Sequence, residues 1–582
     1  MFRQDSIAAA VFTPEHMSFA MPAFVDPKSA PISFVAAANL VQQLAAALFK
    51  TGATRGARIA FTAPRGPLGV IGFLAASEVG TCCPLNPRLK PDELAASLEG
   101  MAIDLLLDGS GEASVESTAL RLRIARLHVR LSGDILEIAD LAGSLAGNMQ
   151  ACPDAPAMLM STSGTTSKPK LVPISHSNVL AAAGSIGSAF SLGPNDVCLD
   201  PMPLHHVHGL ISAALSSLLA GSAVHCTRGF SPSEFVDAFR ELRPTWFTAS
   251  PAMHLALREH FEHAGTVAPA GRLRFFRSSS APLPPSAITA LEELFSAPLI
   301  ETYGLTETAS MVCSNPLPPE PRKQGSVGRA CGSEIRIVDE AGQTCPTDVQ
   351  GEIAIRGPSV ISAYENNAAQ DSFLDGWLLT GDIGRLDADG YLFIVGRAKE
   401  VIKRGGLSVY PAEVDDALCA DPDVAEAVTF AVEHSSLGED VVAAVVLRAG
   451  ATVDAARLRA EVGRKLSTYK VPSVILIVDS IPKSETGKFV RKQVANQLAH
   501  LLAPRCEPAS GMVEHLLLAA WREVIGRGDI GVTDNVFLHG ADPLRAGRAA
   551  EAISASGVWH PTLKDLLAAP TVREQAARVS AP

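Results

Sequence analysis

Between Phe34 and about residue 310, runs that read as helix alternate with runs that read as buried strand, and no other feature restricts the fold as much. Phe34–Lys50 has apolar residues at helical spacing and stops at Thr51-Gly52, where glycine can take the left-handed conformation that ends a helix. Arg58–Phe61 follows as a short buried strand, then Leu68–Val79 as a second helix closed by Gly80. Strands separated by helices pair in parallel, so this part of the chain predicts α/β layers. Ala157–Met160 and Leu171–Ile174 are further strand-like runs. Ile211–His225 resumes the alternation, Thr245–Pro251 reads as a strand entering a loop, and Pro84-Leu85-Asn86-Pro87 reads as a rigid turn.

At 582 residues the chain exceeds one core, and roughly two to four domains are expected. A net charge of −12 argues against a nucleic-acid partner held through phosphates. The 10 cysteines are scattered without a Cys-x-x-Cys pair, which suits reduced thiols and a cytoplasmic protein. The first residues lack a basic region leading into an apolar core, so no secretory signal is expected. The longest apolar run, Leu68–Ala76, is too short to span a bilayer, so no membrane partner is expected either.

Chemistry enters at the loop between two of the strand-like runs, Thr162-Ser163-Gly164-Thr165-Thr166-Ser167-Lys168-Pro169-Lys170. Hydroxyls, a backbone free to bend at Gly164 and two lysines can wrap a polyphosphate, although the spacing of a Walker A loop is missing. Taken alone, a solvated Ser/Thr turn would look the same. Pro203-Leu204-His205-His206-Val207-His208-Gly209-Leu210 holds three histidines with no cysteine or carboxylate at zinc-ligand spacing. A pocket wall using one imidazole as a gate or polar contact fits better, and the reading favours His206. Phe275–Leu283 is a strand opening into small residues, Ser278-Ser279-Ser280-Ala281-Pro282, which let a flat ligand approach the backbone. In Glu301-Thr302-Tyr303-Gly304-Leu305-Thr306-Glu307-Thr308, Ile300 ends an apolar strand and Gly304 breaks the chain. Tyr303 could stack on a base, Thr306 bond a phosphate and Glu307 hold Mg²⁺ through oxygen.

Together these stretches resemble the nucleotide site of the acyl-adenylate-forming superfamily, which includes acyl-CoA synthetases, peptide-synthetase adenylation domains and luciferases. The rest of the chain carries the resemblance further. Trp377-Leu378-Leu379-Thr380-Gly381-Asp382 is similar to the segment whose aspartate binds the ribose, and in Gly396-Arg397-Ala398-Lys399-Glu400 the resemblance assigns Arg397 to the ribose and Lys399 to the hinge. Lys403-Arg404-Gly405-Gly406, followed by Tyr410-Pro411-Ala412-Glu413-Val414, resembles the loop that swings in for thioester formation, with Gly405 and Gly406 giving the thiol access. Pro482–Lys488 resembles the loop with the adenylation lysine, Lys488. Two departures stand out: Ser167 and Leu171 occupy positions where the family usually has glycines. Pro203–Leu210, Arg277–Leu283 and Ser314–Pro318 are most similar to small-acid CoA ligases of the oxalate type. Those place a histidine after the Thr-Glu turn to read a second carboxylate, and here that position is Ser310.

The fold this implies is α/β: a large N-terminal domain (1–396) of parallel-sheet layers plus a small β-barrel-like part, then a mobile α+β lid (397–500). A linker at 501–511 would lead to a helical domain, 512–582, that resembles an acyl or peptidyl carrier. In that tail the family's Gly-Gly-Asp-Ser-Leu is Gly540-Ala541-Asp542-Pro543-Leu544, so the phosphopantetheine-accepting serine is gone. Asp542 suits an N-cap with Pro543 in the first helical position, and Ser554 and Ser556 are expected to lie beyond the helix. The implied reaction joins a small carboxylic acid to ATP with Mg²⁺, giving acyl-AMP and pyrophosphate, then a thioester with CoA and AMP. Thr306, Glu307, His206 and Lys488 would be catalytic. Ser163, Gly164, Thr165, Thr166, Lys170, Ser280, Ala281, Pro282, Tyr303, Asp382 and Arg397 would hold nucleotide with Thr162, and His206, Ser278, Gly304 and Ser310 would line the acid pocket. The alternative is an adenylation module that loads an acid or amino acid onto the phosphopantetheine of a separate carrier protein. No aspartate for an α-ammonium accompanies His205, His206 and His208, which favours a non-amino acid. A third reading, an idle scaffold that only docks partners, conflicts with the complete set Glu307, Asp382, Arg397 and Lys488.

Overall fold

The computed structural model describes residues 2–139, 141–143, 155–162, 170–266, 268, 271–365, 372–434, 437–483 and 489–579, with the side chains of Thr162, Ser286 and Pro543 left aside. The chain divides into two compact units: residues 1–380 with 384–394, and residues 381–383 with 395–582. Among the described residues no helix is long and apolar enough to cross a membrane.

The first unit carries the expected α/β layers. A seven-stranded sheet runs in the order Ile135–Ile138, Ala125–Ser132, Leu105–Asp108, Arg58–Thr62, Thr81–Leu85, Met158–Thr162, Lys170–Ile174. Its centre is parallel and its edges are antiparallel hairpins. A nine-stranded sheet is parallel from Leu299–Leu305 through Phe275–Ser278, Trp246–Ala249, Val197–Asp200 and Ala223–Cys226 to Phe24–Asp26. The two sheets share one core, and the helix Pro67–Val79 lies within it, buried along its whole length from Leu68. Such burial suits a helix that is apolar on most sides, and its one charged group, Glu78, accepts the Arg3 N–H at 3.2 Å. The helix Phe34–Lys50 begins at Ser33, whose hydroxyl accepts the Ala36 N–H at 3.1 Å, and turns out at Gly52 with φ +93°.

Adjacent residues on one strand face opposite ways, and the sequence uses this at Phe275 and Phe276. Phe275 stacks on Trp246 at 5.5 Å in the shared core, whereas Phe276 stacks on Phe247 at 5.1 Å in a second, phenylalanine-rich cluster. A separate five-stranded sheet, including Glu334–Val338, Gly351–Arg356 and Trp377–Leu386, follows in the chain.

In the second unit, Val424–His434 and Gly438–Leu447 form a long antiparallel hairpin. Ile402–Arg404 and Leu407–Val409 extend its sheet through a tight turn, and Val474–Ile477 pairs in parallel on Gly438–Leu447. The helices Met512–Ile525, Pro543–Ala555, Leu563–Ala568 and Val572–Val579 enclose a core of their own around Trp521, whose indole N–H donates to Gln575 Oε1 at 2.9 Å.

Several local expectations change. Pro84-Leu85 is not a turn but part of the strand Thr81–Leu85, paired with Phe61 and Thr62. Its other neighbour pairs only at Cys82, so the N–H that Pro84 lacks is not needed for a ladder. Pro251 opens the helix Pro251–Ala264, capped by Ser250, instead of a loop. The strand Leu299–Leu305 continues through Gly304, with a register shift between Tyr303 and Gly304. The helix Arg491–Leu502 takes in Leu501 and Leu502, the first two residues of the expected linker. Ser554 lies inside the helix Pro543–Ala555, and Ser556 is its C-cap. Asp542 does cap that helix, accepting the Arg545 N–H at 2.8 Å.

Candidate active site

The strands Met158–Thr162 and Lys170–Ile174 are antiparallel partners, with Thr162 opposite Lys170 at their open end. The residues between them, including Ser163, Gly164, Thr165 and Thr166, lie outside the described residues, as does Lys488. At the foot of that loop Lys170 Nζ sits 4.3 Å from the centre of the Tyr364 ring. Tyr364 in turn donates its hydroxyl to Glu307 Oε1 at 2.9 Å. Burial, and then the neighbouring Glu307 carboxylate, push the Tyr364 phenol far above its ordinary range, so it remains a donor. A cation, a phenol and a carboxylate from three distant parts of the chain therefore meet beside the hairpin.

Thr306, Glu307 and Thr308 form one turn of 3₁₀ helix between two strands. The Thr308 hydroxyl accepts the Leu305 N–H at 2.9 Å and donates to the Ser310 carbonyl at 2.7 Å. Ala309 and Ser310 have φ of +51° and +136°, values that side-chain-bearing residues rarely adopt. The return strand passes so close that a Cβ on Gly304 would stand 1.7 Å from the Ser310 carbonyl oxygen. Only glycine fits there without movement. Tyr303 is buried and packs in the apolar cluster beside the five-stranded sheet.

A second set of polar side chains lies at the carboxyl ends of the parallel strands. His208 Nδ1 is 3.1 Å from Ser280 Oγ, and its Nε2 is 2.6 Å from Thr248 Oγ1. His208 opens a wide π-type helical segment, His208–Leu215, and Ser212 on that segment pairs hydroxyl to hydroxyl with Ser310. Helices of this type occur mostly as short pieces near functional sites. Ser280 itself has φ +84°, and the buried Ser278 hydroxyl has no partner among the described residues. Ala281 and Pro282 follow on the same loop, ahead of the buried Leu283. Beneath this loop Arg277 is fully buried, its Nε donating to Thr302 Oγ1 at 2.9 Å. Burial lowers the Arg277 pKa to about 10 and raises that of Asp200, whose Oδ1 accepts the Met202 N–H.

His206 is half-buried, with its ring 4.4 Å from that of His205. Burial, then His206 and Arg65, bring the His205 pKa down to about 3, which keeps it neutral. The structure also weaves His208 into the hydroxyl network, beside the expected His206. Sequence reasoning also passed over Thr248, Ser212, Arg277 and Tyr364. Only Arg277 carried a signal, a charged residue directly after two strand phenylalanines.

In the second unit Asp382 is buried and pairs with the exposed Arg397, Nε to Oδ1 at 3.0 Å. Lys399 is exposed on the short 3₁₀ turn Ala398–Glu400. Gly405 and Gly406 form the turn between Ile402–Arg404 and Leu407–Val409, with φ of +58° and +83°.

Two family models match the chain, AMP-binding enzyme over residues 15–365 and AMP-binding enzyme C-terminal domain over residues 413–488. The oxalate–CoA ligase of Arabidopsis thaliana is 38% identical over 472 residues, 78% of this chain and 91% of that protein. The sulfoacetate–CoA ligase of Cupriavidus necator is 40% identical over 347 residues, 59% of this chain and 67% of that protein. ATP-bound MatB from Rhodopseudomonas palustris superposes with a TM-score of 0.75 at 26% identity, covering 86% of this chain and all of that one (100%). The chain belongs to the AMP-binding enzyme family and is an acid–thiol ligase of the AMP-forming, acyl-CoA synthetase type.

Proposed function

We propose that this ligase uses ATP to activate a small carboxylic acid bearing a second polar or anionic group, and passes the acyl group to CoA. In the first half-reaction a carboxylate oxygen attacks the α-phosphorus, a carboxylate–phosphorus bond forms, and the bond to pyrophosphate breaks. In the second a thiolate attacks the acyl carbon and AMP leaves with the carbon–oxygen bond's electrons. Ser163–Thr166 and Lys170 would bind phosphate oxygens, with Thr306 contributing a hydroxyl. Tyr303 with Ser280–Pro282 would bind the base, and the Asp382–Arg397 pair the ribose. Lys488 would neutralise charge on the α-phosphate as the oxygen attacks. Gly405 and Gly406 would admit the pantetheine arm, and Lys399 would be the hinge.

The observation that carries this reading is the Lys170–Tyr364–Glu307 cluster beside the Thr162–Lys170 hairpin. It gathers a cation and a carboxylate where a polyphosphate and its metal would need both. A single carboxylate with neighbouring hydroxyls is a hard-oxygen donor set, which fits Mg²⁺, an ion that takes its remaining ligands from phosphate and water. Glu307 would hold that ion, whose role is to offset charge on the phosphates. Tyr364 keeps the Glu307 carboxylate oriented.

The substrate class rests on the hydroxyl and imidazole groups at Ser212, Thr248, His208, Ser280 and Ser310, which suit a polar acid better than a long alkyl chain. Oxalate and sulfoacetate, named for two relatives, are the starting candidates. Ser310 stands where the oxalate-type pattern has histidine, which favours an acid larger than oxalate. The test is pyrophosphate release over oxalate, malonate, sulfoacetate, phenylacetate and an amino acid, each with and without CoA. Release with a small two-headed acid, and a thioester only when CoA is present, supports the proposal. Release with phenylacetate or the amino acid alone would overturn the substrate class.

A further inference from the structure

The second unit joins the C-terminal helices to the turn that carries Gly405 and Gly406 by two hydrogen-bonded routes. On one side, Leu437 caps the turn by accepting the Gly405 N–H through its carbonyl at 2.9 Å. The Leu437 N–H is accepted by His434 Nδ1 at 3.2 Å, and His434 Nε2 lies 2.8 Å from the Phe537 carbonyl oxygen. These contacts assign the imidazole: Nδ1 accepts, so Nε2 carries the proton and donates to Phe537. His434 is buried, so neither contact is readily replaced by water.

On the other side, Asn535 Nδ2 donates to the Ser473 carbonyl at 3.0 Å. The Ser473 hydroxyl donates to the buried Asp440, whose other oxygen is 2.7 Å from Arg404 Nε. Arg404 immediately precedes Gly405 and also donates to the Tyr469 and Val471 carbonyls, at 3.0 and 2.9 Å. Asn535 serves both routes, because its Oδ1 accepts the Phe537 N–H at 3.0 Å and the Leu538 N–H at 3.4 Å, the latter on the same peptide as the Phe537 carbonyl. Leu538 packs into the apolar cluster formed by Val428, Phe430, Val442 and Val494. The segment Asn535–Leu538 is thus connected by two relays to Arg404 and Gly405, where the chain enters the glycine turn.

We infer that the C-terminal helical segment, residues 512–579, acts in cis as a clamp that sets the position of the Gly405–Gly406 turn for the thiol step, with His434 and Asn535 as positioning residues. This rests on the reading of that turn as the thiol passage. It gives the segment a role that needs no phosphopantetheine attachment, and so accounts for a folded domain with proline at residue 543.

Full-length variants separate the possibilities. His434→Asn retains an acceptor near Nδ1 for Leu437 and loses the reach to Phe537, so it cuts the link to the segment while sparing the local cap. Asn535→Ala cuts the second link. The assays are ATP–pyrophosphate exchange with the best acid of the panel, and thioester formation from the corresponding acyl-AMP with CoA. For each variant the expected result is a rise in KM for CoA of about three- to tenfold, the size of one lost hydrogen bond, with exchange unchanged. A KM for CoA equal to that of the unaltered enzyme in His434→Asn would overturn the inference, as would equal losses in both half-reactions with a lowered Tm. Gly406→Trp is the control: if it leaves thioester formation intact, the thiol-passage reading fails. If it blocks the step while both clamp variants behave normally, only the clamp fails.

Discussion

The turn Gly304–Ser310 and the turn Arg404–Leu407 both depend on left-handed backbone, yet they are built in opposite ways. In the first, residues with side chains, Ala309 and Ser310, are held at positive φ by the Thr308 hydroxyl and the Ser212–Ser310 pair. The one glycine there, Gly304, is needed because another strand passes almost in contact. In the second, both positive-φ residues are glycines, and a Cβ on Gly406 would meet nothing within 4 Å. Strain held by surrounding bonds suits a place where charges must keep fixed positions. An open glycine turn suits a place that something must pass. Under the proposed assignment the contrast would follow the division between the two half-reactions, with fixed groups for adenylation and clear space for the thiol.

Variants that fail in only one half-reaction sharpen this contrast, and variants that fail in both break it. Lys488→Ala should have the largest effect, lowering ATP–pyrophosphate exchange by about 10²–10³ while thioester formation from acyl-AMP continues. Parallel loss of both rates would remove Lys488 from a role specific to adenylation. Gly406→Trp is the mirror image: exchange should persist while CoA transfer falls about a hundredfold. Gly304→Ala tests the crowded turn through stability, with an expected loss of about 1–3 kcal/mol in denaturant unfolding. An unchanged midpoint would show that the Ser310 strand yields easily. Glu307→Gln should raise the Mg²⁺ concentration needed for half-maximal exchange by about tenfold. Tyr364→Phe, which removes only the hydroxyl bonded to Glu307, should raise it about threefold. An identical metal titration for both would take the cluster out of the metal site.

What could be read from the sequence was local. Helix and strand alternation placed the layers because each element declares its period over a few residues. The hairpin around the Ser/Thr/Lys loop and the cap at Asp542 were legible for the same reason. The Tyr364–Glu307 bond was not, because its partners are separated by 57 residues and no short spacing announces it. His208 was one of three histidines within four residues, and its contacts with Thr248 and Ser280 come from residues 40 and 72 positions away in the chain. Pro84 misled because a proline in a strand is tolerated only where the neighbouring ladder has already ended, a fact of register. Gly304 looked like a chain break, whereas close strand approach is what demands it.

In the proposed reaction the acid's own carboxylate oxygen attacks the α-phosphorus of ATP before any thiol reacts. The most direct measurement follows heavy oxygen from a carboxylate-labelled acid through complete turnover with CoA. The expected result is one labelled oxygen in AMP and none in pyrophosphate, because the acyl carbon–oxygen bond is the one the thiol breaks. Label in inorganic phosphate, with ADP as the nucleotide product, would contradict it.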